Sequence, residues 1–474
     1  MNGLSPVDAE FIKRLGRSLP EGTLREVEPR FLQEPRGHYH GTGGVVALPR
    51  TAAEVATIVS ACVEAKVGIV PFGGGTGLVA GQVQPYGPAS VILSLERMRA
   101  IRAIHPEENV IIVEAGASLN DVQVAAEEAG RLFPMALASG GTAQIGGLLA
   151  TTAGGVNVLR YGNIRNLCLG LEVVLPDGGI WKGLRRLRKD NTGYDLRHLM
   201  IGSEGTLGVI TAASLRLVSR PADAAAALFM VDGPSAAQKL LTLALSRAGE
   251  AVSAFELIDR LALEFVRREL PRVRQPFSRI PSWTVLVDVA VTSGPPADLL
   301  ESIFAEAYDV GLVSDGLVSQ SEGQRTEFWA LREAIPEANR IIGAVASHDI
   351  SLPLGEIGTF LERADAGIRG IGPFRINCFG HLGDGNLHYN IFAPEDRCAA
   401  DFADRRAAIV NFVHETTHAL GGSVSAEHGI GRLKVRDLEK FGDPSKIVAM
   451  RAIKSALDPC WIMNPGALLR LPAP

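Results

Sequence analysis

Two histidines lie seven positions apart in the stretch CFGHLGDGNLHYNI, which spans residues 378–391. The segment NLHYNIF alternates apolar and polar residues, which predicts a β-strand with His388 and Asn390 on one face and the apolar side chains on the other. RINCFGHL is its expected partner strand, and GDGN is the turn, where glycine supplies a positive φ. We therefore expect His381 and His388 to converge on one side of the sheet, where two imidazoles can bind one metal ion.

A third ligand for such an ion should be a carboxylate, and GGSVSAEHGIG (421–431) offers Glu427 beside His428 on a glycine-flanked loop. Two histidines and one carboxylate leave open coordination positions for a substrate around zinc or another borderline divalent ion. A lone histidine is more often a satisfied core residue, so it is the joint pattern that favours a metal. The same residues would also suit a metal-dependent hydrolase, in which His381, His388 and Glu427 hold a water-activating ion.

Composition narrows the class of protein. The 474 residues are 46% hydrophobic and 21% charged, as in globular enzymes, and the length corresponds to roughly three domains. The net charge of −5 is spread without long like-charge runs, which disfavours nucleic acid as a partner. The five cysteines form no CxxC pair, which argues against an iron–sulfur cluster or a zinc ribbon.

The hydropathy and the N-terminal residues of the sequence indicate where in the cell the protein is expected. No apolar run reaches about 18 residues, so no transmembrane segment is expected, and a peripheral membrane contact stays open. The start, MNGLSPVDAEFIKRLG, lacks a secretory signal core and the acid-poor composition of a transit peptide. We therefore expect a cytoplasmic protein, or a mitochondrial matrix protein if the source is eukaryotic.

Glycines mark the elements that must position these residues, since they crowd into 68–87, 140–155, 162–183 and 193–208. Short β-rich pieces such as NVIIVEAGA lie between the glycine clusters. TAAEVATIVSACVEAKV (51–67) has helical periodicity with a threonine at its expected N-cap. Near residues 218–225 the pattern changes to longer helices alternating with apolar strands such as WTVLVDVAV, so we expect a domain boundary there.

The first glycine loop, PFGGGTGLVAGQ (71–82), is neither a Walker loop nor a Rossmann fingerprint. No Lys-Ser/Thr follows the glycines, and Pro85 and Pro88 prevent the next residues from continuing as a helix. What remains is a loop of small residues with free backbone N–H groups. Such a loop is either an anion-binding concavity suited to a pyrophosphate or a tight turn without a ligand.

Two further segments favour the interpretation of the loop as a ligand-binding concavity. Residues 134–166 repeat Gly, Ala, Ser and Thr almost without charge, and such small side chains let the backbone approach a large flat ligand closely. Residues 189–211 end in SEGTLGVIT, where glycines alternate with strand-forming residues. Together, the three segments suit an extended cofactor with a diphosphate, a ribityl chain and rings.

The motifs PFGGGTGL, IGGLLATTAGG and GSEGTLGVIT, the last following DNTGYDL, resemble the FAD-binding domain of the vanillyl-alcohol oxidase/p-cresol methylhydroxylase (PCMH) superfamily. With the histidine hairpin and SAEHGIG, residues 35–468 resemble its D-2-hydroxyacid dehydrogenase branch. That branch includes D-2-hydroxyglutarate dehydrogenase, D-lactate dehydrogenase and the FAD subunit of glycolate oxidase. The resemblance implies an α+β fold: an N-terminal helical segment (1–40), a two-lobed PCMH-type FAD-binding domain (41–218), and an antiparallel-sheet-plus-helices substrate (cap) domain (219–474) whose C-terminal tail returns to the flavin.

The resemblance also implies which residues bind the FAD. They are Pro71, Gly73, Gly74, Gly75, Thr76, Gly77, Leu78, Ser139, Gly140, Thr142, Gly146, Gly147, Ala150, Thr151, Ala153, Gly154, Gly155, Tyr161, Gly162, Glu204, Gly205, Gly208, Ile210 and Asn464. Several relatives tether FAD through a histidine or cysteine in the first glycine loop. Residues 73–76 offer neither, so we expect non-covalent FAD, with a link to the nearby His38 or His40 as the less favoured alternative.

The resemblance implies a metal-assisted oxidation. Family members carry the metal, expected here to be zinc, on the residues that match His381, His388 and Glu427, and His428 is the expected catalytic base.

Removing a proton from an alcohol with a histidine alone is uphill by ~9 pKa units, or ~12 kcal/mol. A zinc-type ion can lower the pKa of a bound hydroxyl by ~8 units. The expected reaction converts a D-2-hydroxy acid to the 2-oxo acid: His428 takes the hydroxyl proton while hydride passes from C2 to flavin N5. A metal-free flavin oxidase of the same superfamily is the alternative.

Substrate recognition is expected from Asn390, which should hydrogen-bond the substrate, and from Arg332, which matches the family arginine and suits a carboxylate. The alternative for Arg332 is an ion pair on a helix surface. Two positions depart from the 2-hydroxyglutarate pattern, since Ser347 stands where many relatives have lysine and Pro336 where they have threonine. His348 could partly compensate for the lost cation. D-2-Hydroxyglutarate, D-lactate and D-malate all remain candidate substrates. The expected electron acceptor is an electron-transfer flavoprotein, a quinone or a cytochrome. A homodimer is the oligomeric state considered.

Overall fold

A computed structural model describes residues 3–37 and 39–472. Over these residues the chain forms two compact units. The first unit comprises residues 3–37, 39–155, 162–219 and 427–472, and the second comprises residues 156–161 and 220–426. The segment with Glu427 and His428 therefore belongs to the first unit, although it follows the whole second unit in sequence.

Short strands predominate before residue 220, and longer strands and helices follow it. The strands are β1 (Leu24–Arg25), β2 (Val45–Ala47), β3 (Ile69–Phe72), β4 (Val91–Ser94), β5 (Ile101–His105), β6 (Val110–Glu114), β7 (Arg131–Leu132), β8 (Cys168–Val174), β9 (Ile180–Gly183), β10 (Val209–Arg216), β11 (Val218–Ser219), β12 (Asp223–Val231), β13 (Val252–Asp259), β14 (Trp283–Val291), β15 (Asp315–Val318), β16 (Ala346–Ser351), β17 (Arg375–His381) and β18 (Asn386–Phe392). The α-helices are α1 (Ala9–Arg17), α2 (Ala52–Ala65), α3 (Leu119–Glu128), α4 (Ile145–Thr151), α5 (Val158–Tyr161), α6 (Ile164–Leu167), α7 (Leu196–Met200), α8 (Pro234–Ala248), α9 (Arg260–Glu269), α10 (Pro296–Asp309), α11 (Glu322–Glu333), α12 (Ile335–Ile342), α13 (Ile357–Ile371), α14 (Arg406–Ala419), α15 (Val435–Phe441) and α16 (Pro444–Leu457). Among the described residues, no helix is both long and apolar enough to cross a bilayer.

The first unit carries a small, largely parallel sheet and a larger antiparallel sheet. In the small sheet the strands run β1-β2-β4-β3, and β4 is parallel to both β2 and β3. In the larger sheet they run β5-β6-β10-β8-β9, and every pairing is antiparallel. Helix α2 begins where the sequence predicts, because the Thr51 side chain accepts a hydrogen bond from Glu54 N at 3.1 Å.

The first glycine loop connects two parallel strands without a helix. It leaves β3 after Phe72 and reaches β4 at Val91, and residues 73–90, all of which the structure describes, contain no helix. A dinucleotide fingerprint opens a helix at this point. The exclusion of a Rossmann-type site from the sequence is therefore confirmed.

The second unit is built on an antiparallel sheet with the strand order β15-β12-β14-β13-β17-β18-β16. Helices α8, α10, α13 and α14 bury an apolar cluster against one face, and α9, α11 and α12 bury another against the opposite face. Alternate strand residues contribute to the two clusters, so that Tyr389 belongs to the first and Phe379 to the second. The expected α+β architecture, with antiparallel sheet and helices in the C-terminal half, is confirmed.

The sequence predicts one helix over EFWALREAIPEANRIIG (327–343) and another over residues 398–420, and both differ in the structure. The segment EFWALREAIPEANRIIG forms α11 and α12 instead of one helix, with the break at Ala334. Pro336 lies in the first turn of α12, where a missing N–H leaves no helical hydrogen bond unmade. The helix expected at 398–420 begins at Arg406, after a short 3-10 turn at Ala399–Phe402.

Candidate active site

The two hairpin histidines lie on one face of the sheet of the second unit. Strands β17 and β18 pair antiparallel with Phe379 opposite His388, and Gly385 adopts a φ of 81° at the turn. The ring centroids of His381 and His388 are 5.6 Å apart, and the His388 ring packs on Phe379 with centroids 4.9 Å apart. The strands thus bring two imidazoles close together, as two ligands of one ion must be.

Glu256 on β13 contacts both His381 and Arg332. Its Oε1 lies 2.6 Å from His381 Nδ1, and its Oε2 accepts a hydrogen bond from Arg332 Nε at 2.7 Å. Burial alone would raise the pKa of this carboxyl, but its contacts with His381 and Arg332 outweigh burial and lower the pKa to about 2. Glu256 was not predicted, although an acidic residue inside the apolar run VSAFELI is a usable signal, because a carboxylate buried in a strand needs partners.

Asp349 stands beside His388 on the same face. It is opposite His388 in the pairing of β16 with β18, and its carboxylate lies 3.8 Å from His388 Nδ1. Asp349 Oδ1 also accepts a hydrogen bond from Asn386 Nδ2 at 2.9 Å. Both hairpin histidines therefore have an acidic neighbour near Nδ1, which makes Nε2 the ring nitrogen suited to an ion. Asp349 was not predicted as a site residue, because its neighbour His348 was predicted to bind the substrate.

His348 lies on the opposite face of the sheet from His388. It is opposite Tyr389 in the β16–β18 pairing, and its ring packs edge-on against His414 of α14 with centroids 5.3 Å apart. Neighbouring residues of a strand point to opposite faces, so Asp349 and not His348 shares the face of His388. The structure does not bring His348 to the candidate site, and we do not retain it as a substrate ligand.

Arg332, Asn390 and Ser347 belong to the histidine face. Arg332 projects from α11, is 6% exposed, and lies with its guanidinium 4.9 Å from the Phe379 ring centroid. It is therefore a buried cation and not a surface ion pair. Asn390 Nδ2 donates to the His388 carbonyl at 3.2 Å, and Ser347 is opposite Asn390 and exposed. Groups that can bind an acid therefore share a face with the paired imidazoles.

In the first unit, residues of the glycine segments line one cavity together with His428. The cavity contains about 1070 Å³ of unfilled space, part of it open to solvent. The residues expected to bind the cofactor that line it are Pro71, Gly73, Gly74, Gly75, Thr76, Gly77, Gly146, Gly147, Ala150, Thr151, Glu204, Gly205, Gly208, Ile210 and Asn464. Outside this lining are Leu78, Ser139, Gly140, Thr142, Ala153, Gly154, Gly155 and Gly162, and Tyr161 belongs to the second unit.

Polar side chains in the cavity lining were missed by sequence analysis. They are Gln82, Gln144 and Ser203. Gln82 Nε2 donates to the carbonyl of Gly77 at 2.7 Å and so braces the first glycine loop from within. All three lie inside or beside a glycine-rich run, and that position in the sequence could have indicated that they line the cofactor cavity.

Gly147 gives the clearest sign that the cavity is shaped for a ligand. It lies within α4 without a positive φ, and a Cβ built on it would meet no atom of the described chain within 4 Å. Glycine inside a helix costs about 1 kcal/mol relative to alanine, yet neither backbone strain nor contact with described residues requires it here. Gly73 is similar, with the nearest atom 3.7 Å from its built Cβ. Both residues line the cavity, so the space beside them fits the close approach of a large cofactor such as FAD.

The loop that carries His428 is held by Glu204. The carboxylate of Glu204 accepts hydrogen bonds from the backbone N–H groups of Ile430 at 2.8 Å and Gly431 at 2.6 Å. Burial raises the pKa of this carboxyl, and the two N–H groups act in the opposite direction. Glu204 is among the residues expected to bind the cofactor and lines the cavity, and its carboxylate oxygens contact the His428 loop. Its side chain therefore positions that loop at the cavity.

Arg432 and Glu427 fix the two ends of the same loop. The guanidinium of Arg432, whose pKa burial lowers to about 10, donates to the carbonyl of Gly81 and to Asn464 Oδ1, both at 2.8 Å. Glu427 Oε1 accepts a hydrogen bond from Gly155 N at 2.8 Å. Arg432 was not predicted, because its partners come from segments more than thirty and more than three hundred residues away.

Comparison with known families gives the class. The profile described as "FAD binding domain" matches residues 44–183, and that described as "FAD linked oxidases, C-terminal domain" matches residues 220–468, more than half of the chain. With the glycine-lined cavity, these matches define an FAD-dependent oxidoreductase. The metal-dependent hydrolase considered from the sequence is thereby excluded.

Curated relatives narrow the family. The D-2-hydroxyglutarate dehydrogenase of Bos taurus, labelled mitochondrial, is 37% identical over 98% of this chain and 84% of its own length. The enzyme of that name from Arabidopsis thaliana, also labelled mitochondrial, is 35% identical over 91% of this chain and 76% of its own length. The one from Xanthomonas citri pv. viticola is 36% identical over 89% of this chain and 88% of its own length. The chain belongs to the FAD-linked oxidase family, in its D-2-hydroxyacid dehydrogenase branch.

Solved structures agree at the level of the fold. p-Cresol methylhydroxylase with substrate bound matches with a TM-score of 0.78 and 16% identity over 99% of both chains. Alkyldihydroxyacetonephosphate synthase matches with a TM-score of 0.71 and 18% identity over 98% of this chain and 86% of that one. The expected PCMH-type fold is confirmed.

Proposed function

We propose that this chain oxidises a D-2-hydroxy acid to the corresponding 2-oxo acid. The observation that carries the proposal is the position of His428, which lines the same cavity as the glycines expected to hold FAD. A proton acceptor there stands beside the cofactor site, where the substrate must lose a proton and a hydride. The names of the relatives, which specify D-2-hydroxyglutarate dehydrogenase, support the same class of substrate.

His428 acts as the general base. Neutral histidine is a good proton acceptor near physiological pH. The hydrogen bonds from Ile430 and Gly431 to Glu204 hold its loop, so the imidazole is pre-positioned before substrate arrives. It accepts the substrate hydroxyl proton as the C2–H bond breaks, and FAD, when bound, supplies the acceptor for the hydride.

His381 and His388 bind a divalent cation, which we propose to be zinc, with Glu427 as the third ligand. Within the second unit this is supported by the 5.6 Å between the two ring centroids and by the contact of His381 Nδ1 with Glu256. A carboxylate on the far ring nitrogen is typical of metal-binding histidines. Glu427 is proposed from its place directly before His428. When bound, the cation would supply a Lewis acid that lowers the pKa of the substrate hydroxyl by ~8 units.

Arg332 and Asn390 bind the substrate. Arg332 Nε is engaged by Glu256, so a substrate carboxylate would be met by the terminal N–H groups of the guanidinium. The amide of Asn390 shares the histidine face and can hydrogen-bond the acid. Ser347 on that face brings no charge, so D-lactate and D-malate are candidates beside D-2-hydroxyglutarate.

FAD is bound without a covalent link. Residues 73–76 contain neither histidine nor cysteine, and the cavity lining has no cysteine in the part of the chain that the structure describes. Of the less favoured residues, His40 is exposed and His38 lies outside the described residues. Electrons then pass to a separate acceptor, with an electron-transfer flavoprotein, a quinone and a cytochrome as the candidates.

A panel of D- and L-2-hydroxy acids, assayed with an artificial dye acceptor, tests the proposal. We expect dye reduction with D-acids only, loss of activity on treatment with a chelator, and recovery when zinc is restored. Oxidation of D-acids that survives removal of all metal would support the metal-free flavin oxidase instead. Failure of every 2-hydroxy acid to reduce the dye would refute the proposed substrate class.

A further inference from the structure

Glu256 is a fully buried carboxylate that joins two groups of the candidate site. It is 0% exposed, and a buried carboxylate without partners would be strongly destabilising. One oxygen lies 2.6 Å from His381 Nδ1, and the other accepts from Arg332 Nε at 2.7 Å. A single side chain therefore contacts both the residue proposed to bind the cation and the residue proposed to bind the substrate carboxylate.

We propose that Glu256 is a positioning residue that fixes the spacing between His381 and Arg332, and so selects acids whose hydroxyl and carboxylate lie on adjacent carbons. This inference rests on the proposed function. A 2-hydroxy acid presents its carboxylate at C1 and its hydroxyl at C2, so the groups that bind the two must keep one short distance. A 3-hydroxy acid would require a longer one.

The backbone fixes the position of Glu256. Strand β13 is interior to the sheet, paired with β14 on one side and β17 on the other, and Glu256 is directly opposite His381. Arg332 is also held from a second direction, because its guanidinium lies over the Phe379 ring. Because the carboxylate contacts both groups, changing its length or its pattern of donors and acceptors would alter the spacing between the imidazole and the guanidinium.

Glu256 also decides the tautomer of His381. A carboxylate can only accept, so the proton of the imidazole lies on Nδ1 and the lone pair on Nε2, where a cation can bind. A glutamine would present an amide N–H to one of the two partners. Facing His381, it would favour the tautomer with the proton on Nε2, and facing Arg332, it would oppose another N–H. The first orientation keeps both contacts but moves the His381 proton to Nε2, where it blocks cation binding, and the second orientation breaks the contact with Arg332.

The test compares Glu256→Gln with Glu256→Asp and with the matched control Asp288→Asn. Asp288 is 2% exposed, and its Oδ2 accepts from Arg325 Nε at 2.8 Å and Trp329 Nε1 at 2.7 Å. It is thus another buried carboxylate of this sheet, tied to another arginine of α11. The FAD-loaded proteins are compared for zinc affinity by chelator competition, for flavin content, and for kcat and KM separately with a 2-hydroxy acid and its 3-hydroxy isomer.

We expect Glu256→Gln to weaken zinc binding about 10–100-fold, to raise KM for the 2-hydroxy acid about tenfold, and to reduce the preference over the 3-hydroxy isomer, with flavin content unchanged. Glu256→Asp should recover part of the zinc affinity, and Asp288→Asn should retain all of it. Wild-type zinc affinity and KM in Glu256→Gln, or equal losses in Asp288→Asn, would overturn the positioning role while leaving the proposed function intact. A wild-type protein that binds no zinc and oxidises no 2-hydroxy acid would overturn the proposed function itself.

Discussion

The carboxylate of Glu204 accepts a hydrogen bond from the backbone N–H of Gly431 at 2.6 Å, across 227 residues of sequence. A second bond, from Ile430 N at 2.8 Å, uses the other carboxylate oxygen. Because Glu204 also lines the cavity, the loop that presents His428 is anchored by the same segment that shapes the cofactor site. The placement of the proposed base therefore depends on a residue that makes no proton transfer itself.

Replacing Glu204 by glutamine should lower kcat about a hundredfold, because a misplacement of about 1 Å in a reacting group has that effect. The amide oxygen can accept from only one of the two loop N–H groups, and the amide N–H opposes the other. Turnover is measured beside flavin content, with the exposed Glu337→Gln as control. Full turnover in the Glu204 variant would mean that other contacts suffice to hold the loop.

Replacing Gly147 by alanine should weaken FAD binding about 10–100-fold, because the added methyl group would occupy cavity space that the cofactor needs. The apoprotein should be at least as stable as the wild type, since alanine favours a helix by about 1 kcal/mol. FAD affinity and the apoprotein unfolding midpoint are the measurements.

Gly370→Ala is the matched control for this variant. Gly370 lies in α13, and its built Cβ also meets no atom within 4 Å in the range the structure covers. It should keep wild-type FAD affinity. Equal FAD affinity in the two variants would show that Gly147 does not face the cofactor.

Much of the hairpin could be predicted because its signals are local. Alternation in NLHYNIF and a glycine turn fix which residues of one strand share a face, and Gly385 adopts the positive φ expected of the turn. The prediction that His348 binds the substrate was wrong for a related reason. The sequence ASHDIS shows that His348 and Asp349 point to opposite faces, but the choice of face depends on the register of β16 with β18.

The partners of the site residues could not be predicted. Glu256 is 125 residues from His381 and meets it through the register of β13 with β17, which no local pattern encodes. Arg332 was identified from its surrounding motif, but its burial against Phe379 and its ion pair with Glu256 depend on how α11 packs on the sheet. Sequence reasoning thus identifies candidate groups, and the tertiary fold decides what each one contacts.

Glu427→Gln should lower zinc content and turnover together, because an amide is a weaker ligand than a carboxylate for a divalent cation. The Gly155 N–H can still donate to the amide oxygen, so the loop should stay in place. Metal analysis of the purified variant, beside its flavin content, is the measurement. Unchanged zinc occupancy would show that Glu427 is not a ligand.

Asp259 should make stability depend on pH. Its carboxylate caps α9 by accepting from Ala262 N and also accepts from Cys378 N, but burial dominates and raises its pKa from 3.8 to about 7. Because the pKa of Asp259 is raised in the folded state, the contribution of this carboxyl to the free energy of unfolding is fully present below pH 3.8 and is lost as pH rises through about 7. The thermal midpoint of the wild type should therefore fall relative to that of Asp259→Asn between about pH 5 and about pH 8. A difference that stays constant over this range would contradict the raised pKa.

The most direct test of the proposed mechanism is anaerobic reduction of the bound flavin by a D-2-hydroxy acid in the wild type and in His428→Ala. Rapid mixing and the visible flavin absorbance report the single reductive step, without any electron acceptor. We expect the wild type to bleach, and the variant to keep its FAD and its metal while bleaching about 10²–10⁴-fold more slowly. Bleaching of the variant at the wild-type rate would contradict the assignment of His428 as the base.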